Sequence, residues 1–339
     1  MIASILETAY PGAVLATRGN FNNDIGLPLT LLGLHAGHRA AVVEMGMNQP
    51  GEIAYLTQLA RPTVALVNNA QRAHLQGMGD LAEIAREKGS IFTGLAAAGV
   101  AVFNADDAQS AVWQAQVDAA GQRPLRFAVN QPAEVRGTLT QQGLDFLLAL
   151  QTPAGEALLV LPVPGRHNAV NALAATAACL AAGIALPQVV AGLQSFRGVK
   201  GRLQRRQGQQ GAQILDDTYN ANPDSVRAGI DVLASTIGKK ILVLGDMGEI
   251  GEGSHQCHDE IGGYAKSQGV DRLYALGEAS AQAVRNFGEG GRHFCNIDKL
   301  IAAVQKELAA DTTVLVKGSR FMRMERVADA LVAEEQSCC

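Results

Sequence analysis

Polar side chains follow the apolar runs of this sequence, and these positions are the first candidates for chemistry. Each of five runs that reads as a buried strand is followed by polar, charged or small residues. In chain order these are Glu44; Asn68, Asn69 and His74; Asp216 and Asp217; Gly245 and Asp246; and Lys317, Gly318, Ser319 and Arg320. Ligands bind at the carboxyl edge of parallel sheets. One such strand end could be a helix cap or a turn, but five together predict functional sites.

Glu44 and His74 are a candidate pair of metal ligands. A carboxylate and a neutral imidazole are ordinary ligands of a divalent cation, and Mg²⁺ needs few protein ligands because it keeps water and phosphate oxygens. The residues alone leave a simpler interpretation open, in which Glu44 caps a helix and His74 lies in a loop. Lys88, in AREKGSIF, has three charged neighbours on one predicted helix and reads as part of a solvated face.

Two further segments combine polar side chains with a helix start. In GRHNAVNALAA, His167 and Asn168 could cap the helix or contact an anion or a base, and their spacing favours neither interpretation. In DDTYNANPDS, Pro223 predicts the first position of a helix. Helix capping explains part of this second segment and leaves Asp217, Tyr219 and Asn220 without a structural reason.

Two other motifs carry weaker signals. LVLGDMGEIGEG follows a predicted strand, but its G-x-x-G-x-x-G spacing differs from the G-x-G-x-x-G of dinucleotide-binding proteins. A nicotinamide dehydrogenase is therefore disfavoured. His255, Cys257 and His258 in SHQCHDE could suggest zinc, yet a structural zinc site needs four ligands and the segment offers only these.

Short β-rich runs alternate with helical stretches, a pattern typical of helices packed on parallel sheets. The composition agrees, since 47% of the 339 residues are hydrophobic and only 4% are aromatic. Residues 125–164 instead read as an antiparallel meander. A stretch rich in Gly, Arg and Gln indicates a domain boundary. The sequence thus predicts an α/β protein with a central, mostly parallel sheet in residues 1–199 and a Rossmann-like doubly wound domain in residues 200–339.

Charge and hydropathy exclude several classes of protein. The formal net charge of −4 gives no basic footprint, so we expect no nucleic-acid partner. No apolar run is long enough to span a bilayer, and the start lacks the pattern of a signal peptide. The five cysteines contain no C-x-x-C spacing. These features predict a cytoplasmic protein without a membrane span.

Taken together, the polar segments resemble the Mur ligases. The matching stretches are TRGNFNNDIGLPLTLL, VVEMGMNQPGEIAYL, ALVNNAQRAHLQGMG, IAREKGSIF, LPVPGRHNAVNALAA, GRLQ, DDTYNANPDS, VLGDMGEIGEGS and VLVKGSRFMRME. YNANP, supported by KGSR and RME, is similar to the pattern of the member that adds D-alanyl-D-alanine. It differs from the DYAHTP of the ligase that adds the third amino acid.

The resemblance implies a monomeric, ATP-dependent amide ligase of peptidoglycan synthesis that uses ATP and Mg²⁺. The terminal carboxylate of UDP-N-acetylmuramoyl-tripeptide would attack the γ-phosphate of ATP to give an acyl phosphate and ADP. The amine of D-alanyl-D-alanine would then attack the acyl carbon, and phosphate would leave. Catalysis would consist mostly of positioning and of charge neutralisation by Mg²⁺ and cationic side chains.

The resemblance also assigns catalytic and metal-binding roles by position. Glu44 and His74 match the metal ligands of the family. Lys88 matches the lysine that is carbamylated in relatives, and this match replaces the charged-face interpretation. Arg202 matches the arginine that reaches the phosphates, and Asp217 matches the carboxylate on the ATP ribose.

The remaining matches concern the nucleotide and the peptide substrates. His167 and Asn168 match the helix start that contacts the nucleotide. The residues implied to contact peptide substrate or phosphate are Asn20, Asn22, Asn23, Asn220, Asn222, Lys317, Ser319 and Arg320.

The sequence departs from the family pattern at its start. It contains no G-x-x-x-x-G-K-[ST] phosphate loop, and its first residues match the family helix just past that loop. The resemblance therefore implies an incomplete P-loop-type ATPase domain without the N-terminal uridine domain, and we predict little or no activity for the chain as written. Two alternatives stay open. One is a non-catalytic remnant that binds nucleotide or a cell-wall partner, and the other is a different Mur or folylpolyglutamate-type ligase.

Overall fold

The computed structural model describes residues 1–71, 78, 80–248 and 250–333. The chain forms two compact units. Unit 1 comprises Met1–Gln142, Phe146–Pro162 and Arg166–Phe196, and unit 2 comprises Gly143–Asp145, Val163–Gly165 and the residues from Arg197 onward. No helix among the described residues is both long and apolar enough to cross a bilayer.

Unit 1 contains two sheets. Strands β1 (Val14–Ala16) and β2 (Ala40–Val42) pair in parallel and form the first. The second has six strands in the order β3 (Val64–Val67), β4 (Val100–Asn104), β5 (Arg123–Ala128), β6 (Val135–Gln142), β7 (Asp145–Thr152) and β8 (Gly155–Leu161). β3 to β6 pair in parallel, and β7 pairs antiparallel with β8.

The predicted antiparallel meander of residues 125–164 is wrong at its first pair. β5 and β6 run parallel, and their register joins only Phe127 with Val135 and Ala128 with Arg136. Because β6 begins where β5 ends, the connecting loop does not have to return along the whole strand. Asp106 holds this loop, since its carboxylate accepts hydrogen bonds from the backbone amides of residues 129–131 at 2.7–3.1 Å.

The helices of unit 1 cover these sheets. They are α1 (Ile2–Ala9), α2 (Gly26–Leu32), α3 (Glu52–Ala60), α4 (Leu81–Gly89), α5 (Ser110–Ala119), α6 (Arg166–Ala181) and α7 (Leu186–Ser195). Most of the buried residues of α6 are alanines, and they extend along most of the helix. α1 and α7 approach closely at Gly192, where an added Cβ would lie 2.4 Å from the Cα of Ile5. The Ser4 hydroxyl donates to the Gly192 carbonyl at 2.8 Å across the same contact.

Unit 2 is a doubly wound sheet. Its strand order is β13 (Gly291–Phe294), β12 (Arg272–Leu276), β11 (Lys239–Gly245), β14 (Thr312–Lys317), β10 (Gln213–Asp217) and β9 (Gln204–Gln207). The first five strands are parallel, and β9 is antiparallel to β10. The helices are α8 (Pro223–Ala234), α9 (Ser254–Ser267), α10 (Ala281–Phe287), α11 (Ile297–Gln305) and α12 (Glu325–Leu331).

Alternating side chains of the unit 2 strands enter two separate cores. Leu242 and Leu315 pack with residues of α8, α9 and α10, whereas Val243 and Val316 pack with residues of α11 and α12. Successive side chains of a strand point to opposite faces of the sheet, so continuous apolar runs such as the ILVLG of β11 produce this arrangement. Both units therefore confirm the predicted α/β fold class.

Candidate active site

In unit 1, the segment Asn68–Ala70 follows strand β3 and is fixed at three points. The Asn68 amide Nδ2 donates to Asn171 Oδ1 at 2.6 Å. Lys88 Nζ donates to the Asn69 carbonyl at 2.7 Å, and the Ala70 amide donates to Asp107 Oδ2 at 2.9 Å. These bonds tie the end of β3 to α6, to α4 and to the loop after β4. His74, which follows this segment in the chain, lies outside the described residues.

Lys88 is half-buried at the C-terminal end of α4. Burial lowers the pKa of its amine, because desolvation penalises the ammonium form, and the nearby Asp107 carboxylate opposes part of this effect. Residues of α4 beside it differ in environment. Arg86 is exposed and paired with Glu83, whereas Glu87 is buried and accepts the Gly51 and Ile53 amides at 2.9 and 2.7 Å. Lys88 is therefore not part of a solvated charged face.

His167 and Asn168 lie in the first turn of α6, a helix that begins directly after Gly165, which has a positive φ of 93°. Both side chains are half-buried. Asn171 lies three residues after Asn168 and four after His167, so all three share one face of the helix. Asn171 was not among the predicted site residues, although its helical spacing from His167 and Asn168 could have indicated it.

Glu44 is exposed and follows β2 at the edge of the two-stranded sheet. Its Oε1 accepts a hydrogen bond from Asn22 Nδ2 at 2.9 Å, and its backbone amide donates to Thr17 Oγ1 at 2.9 Å. The carboxylate is thus held by a neutral amide while its second oxygen faces no partner among the described residues. This donor set suits a hard divalent cation, which prefers carboxylate oxygen and retains water.

The asparagines of the GNFNN segment organise the loop between β1 and α2. The Asn22 backbone donates to the Asn20 carbonyl at 2.8 Å, and the Gly46 amide donates to the Asn22 carbonyl at 2.8 Å. Asn23 Oδ1 accepts the Gly26 amide at 2.8 Å and so satisfies a donor at the start of α2. The sequence did not predict the direct contact between Asn22 and Glu44.

In unit 2, Asp217 and Lys317 form a buried ion pair at the carboxyl ends of β10 and β14. Lys317 Nζ lies 2.6 Å from Asp217 Oδ2 and 3.0 Å from the Asn220 carbonyl oxygen. Asp217 Oδ1 accepts the amide of Leu203 at 3.1 Å. Lys317 is 3% exposed, so its ammonium positions the strand ends instead of facing solvent.

Ser319 joins the loops that follow three strands. Its hydroxyl donates to the Ala221 carbonyl after β10 at 3.0 Å and accepts the Gly248 amide after β11 at 2.7 Å. The side chain is buried. Asn222 caps α8 by accepting the Ser225 amide at 2.8 Å, and Asn220 Oδ1 accepts the Ala221 amide at 2.9 Å. These bonds give Ser319, Asn220 and Asn222 structural roles at the predicted site.

Two arginines that were predicted as site residues, both in unit 2, are exposed. The Arg202 guanidinium lies over the ring of Tyr219, with 4.5 Å between its Cζ and the ring centroid. Arg320 Nη1 lies 2.9 Å from Glu325 Oε1. Both guanidinium groups are at the surface of the unit and can contact phosphate or carboxylate groups of a ligand.

The zinc interpretation of SHQCHDE has no structural support. No group of three His, Cys, Asp or Glu side chains in the part of the chain that the structure describes could hold a metal ion. His258 is buried, its Nε2 accepts the Met247 amide at 2.9 Å, and its Nδ1 lies 2.7 Å from the Ser254 carbonyl oxygen. Burial lowers the pKa of this imidazole, because the cation would lose its hydration.

Asp246, another polar residue at the end of a strand, follows β11. Its carboxylate accepts a hydrogen bond from the Ser280 amide at 2.7 Å.

Comparison with protein families assigns both units. The Mur ligase middle domain matches residues 1–179, and the Mur ligase glutamate ligase domain matches residues 201–320. The chain belongs to the Mur ligase family, which confirms the resemblance found in the sequence.

Its relatives include named members of that family. The UDP-N-acetylmuramoyl-tripeptide–D-alanyl-D-alanine ligase of Escherichia coli strain K12 is 42% identical over 346 residues, which cover 100% of this chain and 74% of that protein. The structure of MurF from Acinetobacter baumannii has a TM-score of 0.89 and 34% identity, covering 97% of this chain and 73% of that one. MurF ligase from Thermotoga maritima in complex with ADP has a TM-score of 0.86 and 25% identity, with coverages of 97% and 76%.

Proposed function

We propose that the protein is the ATP-dependent ligase that joins D-alanyl-D-alanine to UDP-N-acetylmuramoyl-tripeptide in peptidoglycan synthesis. The observation that carries this proposal is the 42% identity with the Escherichia coli ligase of that name across the whole chain. The arrangement of polar groups at the ends of β2, β3, β10 and β14 supports it. We further propose a monomeric enzyme that acts in the cytoplasm, where ATP is available.

The proposed reaction has two steps. A carboxylate oxygen of the tripeptide attacks the γ-phosphorus of ATP, the bond between the β-γ bridging oxygen and that phosphorus breaks, and ADP leaves. The neutral amine of D-alanyl-D-alanine then attacks the acyl carbon, phosphate leaves, and the nitrogen loses a proton. In this assignment residues 1–199 form the ATP-binding domain and residues 200–339 form the domain that completes the ligase.

Glu44, His74 and a carbamylated Lys88 are the proposed ligands of Mg²⁺, which would neutralise charge on the phosphates of ATP. The environment of Lys88 supports carbamylation, because only the unprotonated amine reacts with carbon dioxide and burial lowers the pKa of this amine. Lys88 Nζ is also held by the Asn69 carbonyl at 2.7 Å. Carbamylation would give the buried position an anionic oxygen donor in place of an ammonium.

His167 and Asn168 are proposed to contact the nucleotide, with Arg202 on its phosphates and Asp217 on its ribose. Each Asp217 oxygen already accepts one hydrogen bond and retains a lone pair for a ribose hydroxyl. The substrate-contacting set is Asn20, Asn22, Asn23, Asn220, Asn222, Lys317, Ser319 and Arg320. We propose that the buried Lys317 and Ser319 act by positioning, and that exposed Arg320 can contact a substrate carboxylate.

The test uses the protein as its natural gene encodes it. Incubation with ATP, Mg²⁺, UDP-N-acetylmuramoyl-tripeptide and D-alanyl-D-alanine should release phosphate and give a nucleotide-linked pentapeptide by mass spectrometry. L-Glutamate and single D-alanine serve as control acceptors. Ligation of L-glutamate in preference to the dipeptide would favour a folylpolyglutamate-type ligase, and nucleotide binding without any ligation would favour a non-catalytic protein.

A further inference from the structure

Unit 1 contains a cavity of about 140 Å³ between α3 and the loops that follow β1 and β2. Its lining includes Asn22, Asp24, Met47, Glu52, Tyr55 and Leu56. This volume is well above the roughly 10–15 Å³ of the same measure that one water molecule requires, so the cavity can hold several non-hydrogen atoms. We refer to it as the α3 pocket.

The α3 pocket is acidic, and one of its carboxylate oxygens has no partner among the described residues. Asp24 and Glu52 line the pocket, and no Lys, Arg or His of the described part of the chain does. Glu52 Oε2 accepts the Asn48 and Gln49 amides at 2.5 and 3.0 Å, which fixes the carboxylate, while Oε1 has no hydrogen-bond partner among the described residues. The pocket therefore offers a cation one anchored carboxylate and one solvated carboxylate.

The other walls suit an alkyl chain. Met47 and Leu56 are buried and provide apolar surface, and the Tyr55 ring is half exposed beside them. An alkyl chain that ends in an ammonium group matches this combination, because its methylenes can pack on apolar walls while its charged end meets carboxylates. No group of three metal-ligating side chains among the described residues could make the same pocket a metal site.

The α3 pocket adjoins the candidate metal ligand Glu44. Asn22 lines the pocket and donates to Glu44 Oε1 at 2.9 Å, and Gly46 lines it two residues after Glu44. An added Cβ at Gly46 would lie 2.9 Å from the Asn22 side chain, so the backbone and this amide are closely packed. A ligand whose carboxylate reacts beside Glu44 would therefore have the α3 pocket next to it.

We propose that the α3 pocket binds the side-chain ammonium of the third residue of the tripeptide. This proposal rests on the proposed function. The reacting carboxylate and the side chain of that residue are attached to the same Cα, so a side-chain pocket must lie beside the reacting centre. The ammonium of D-alanyl-D-alanine is a poorer occupant, since that nitrogen must lose its proton to attack and a carboxylate would stabilise the protonated form.

The test is a binding cycle on the natural gene product. UDP-N-acetylmuramoyl-tripeptide with lysine at the third position is compared with the same ligand acetylated on the lysine side chain, by isothermal titration calorimetry. The proteins are the unmodified one, Glu52→Gln, Asp24→Asn and Glu156→Gln. The glutamine at position 52 keeps an oxygen for the Asn48 and Gln49 amides, and Glu156 is an exposed carboxylate on β8 outside the pocket.

We expect the effect of acetylating the ligand and the effect of substituting a pocket carboxylate on binding to be non-additive. Acetylation should weaken binding to the unmodified protein about three- to fivefold, the size of an ion pair partly open to water. Glu52→Gln and Asp24→Asn should each weaken binding of the lysine ligand and leave binding of the acetylated ligand unchanged, whereas Glu156→Gln should change neither. A diaminopimelate tripeptide should gain less from the α3 pocket than the lysine ligand does, because the carbon that carries its side-chain ammonium also carries a carboxylate, which Asp24 and Glu52 repel.

Equal losses for both ligands in Glu52→Gln and Asp24→Asn would overturn the proposal, as would an unmodified protein that binds both ligands equally well. A loss of D-alanyl-D-alanine affinity in the same variants would assign the α3 pocket to the dipeptide and would also overturn it. Failure of the proposed function gives a different outcome, in which the unmodified protein binds neither tripeptide.

Discussion

Lys317 and Asp217 are directly opposite each other in the register of β14 and β10, and their side chains close an ion pair of 2.6 Å. The side chains are only 4% and 13% exposed. Removing one partner leaves an uncompensated charge in the interior. We expect Lys317→Met to lower the free energy of unfolding by about 3–5 kcal/mol, measured by urea denaturation.

The matched control is an exposed ion pair of the same unit. Arg320 pairs with Glu325 and its side chain is 60% exposed. Arg320→Met should change the free energy of unfolding by less than about 1 kcal/mol, because exposed pairs are screened by water. Equal effects of the two substitutions would show that burial does not govern the Lys317 pair.

Because of the buried His258, we expect the free energy of unfolding to fall at acidic pH. Burial holds the pKa of its imidazole below the unfolded value, so the unfolded chain takes up the proton first as the pH falls. The stability contributed by the neutral imidazole is present above the unfolded pKa of about 6.5 and decreases below it. His258→Gln should cost about 1–3 kcal/mol near neutral pH by disrupting the bonds with Met247 and Ser254.

The difference between unmodified protein and His258→Gln should shrink between about pH 7.5 and pH 5.5, since glutamine does not titrate. Urea denaturation at several pH values measures it. His255→Gln is the control, because that neighbouring histidine is exposed. A difference that stays constant over this range would contradict the assignment of the neutral form to His258.

Lys88 should be the lysine that carries a carbamate. Its lowered pKa leaves more unprotonated amine at a given pH than an exposed lysine has. Carbon-13-labelled bicarbonate should give one carbamate signal by nuclear magnetic resonance, which disappears in Lys88→Arg and persists in Lys200→Arg, a change at an exposed position. The signal should weaken as the pH falls, because protonation removes the reactive amine. A signal that survives Lys88→Arg would place the modification elsewhere.

Gly192 should not tolerate a side chain. Its Cβ would lie 2.4 Å from the backbone of Ile5, so α1 and α7 would have to separate. Gly192→Ala should destabilise the protein by about 1–3 kcal/mol despite the higher helix propensity of alanine. Gly253→Ala, where an added Cβ meets nothing within 4 Å, should stay within about 0.5 kcal/mol of the unmodified protein. Thermal unfolding of both variants provides the comparison.

The fold was largely predictable because its strands are continuous apolar runs that end in polar residues. KKILVLG and TTVLVK each form a buried strand of unit 2, as expected from their composition. The direction of β5 against β6 was not predictable, because it depends on a register of two residue pairs and on a loop bound by Asp106. Local sequence carries no information about that long-range contact.

The sequence predicted which residues belong to the candidate site better than it predicted the role of each residue there. Strand ends pointed to Asp217, Lys317 and Ser319. The bonds of Lys317 with Asp217 and of Ser319 with Ala221 nevertheless join residues about a hundred positions apart and follow only from the strand order. The Glu44–Asn22 contact and the participation of Asn171 depend in the same way on tertiary packing.

The place of β14 in its sheet affects how unit 2 can be made in the cell. β14 lies between β10 and β11, although β12 and β13 are synthesised before it. Until residues 312–317 leave the ribosome, β10 has only β9 beside it and the edge of β11 stays unpaired. Unpaired edges of nascent chains are sites of misassembly. Translation speed over the preceding segment, α11, should therefore influence the yield of folded protein.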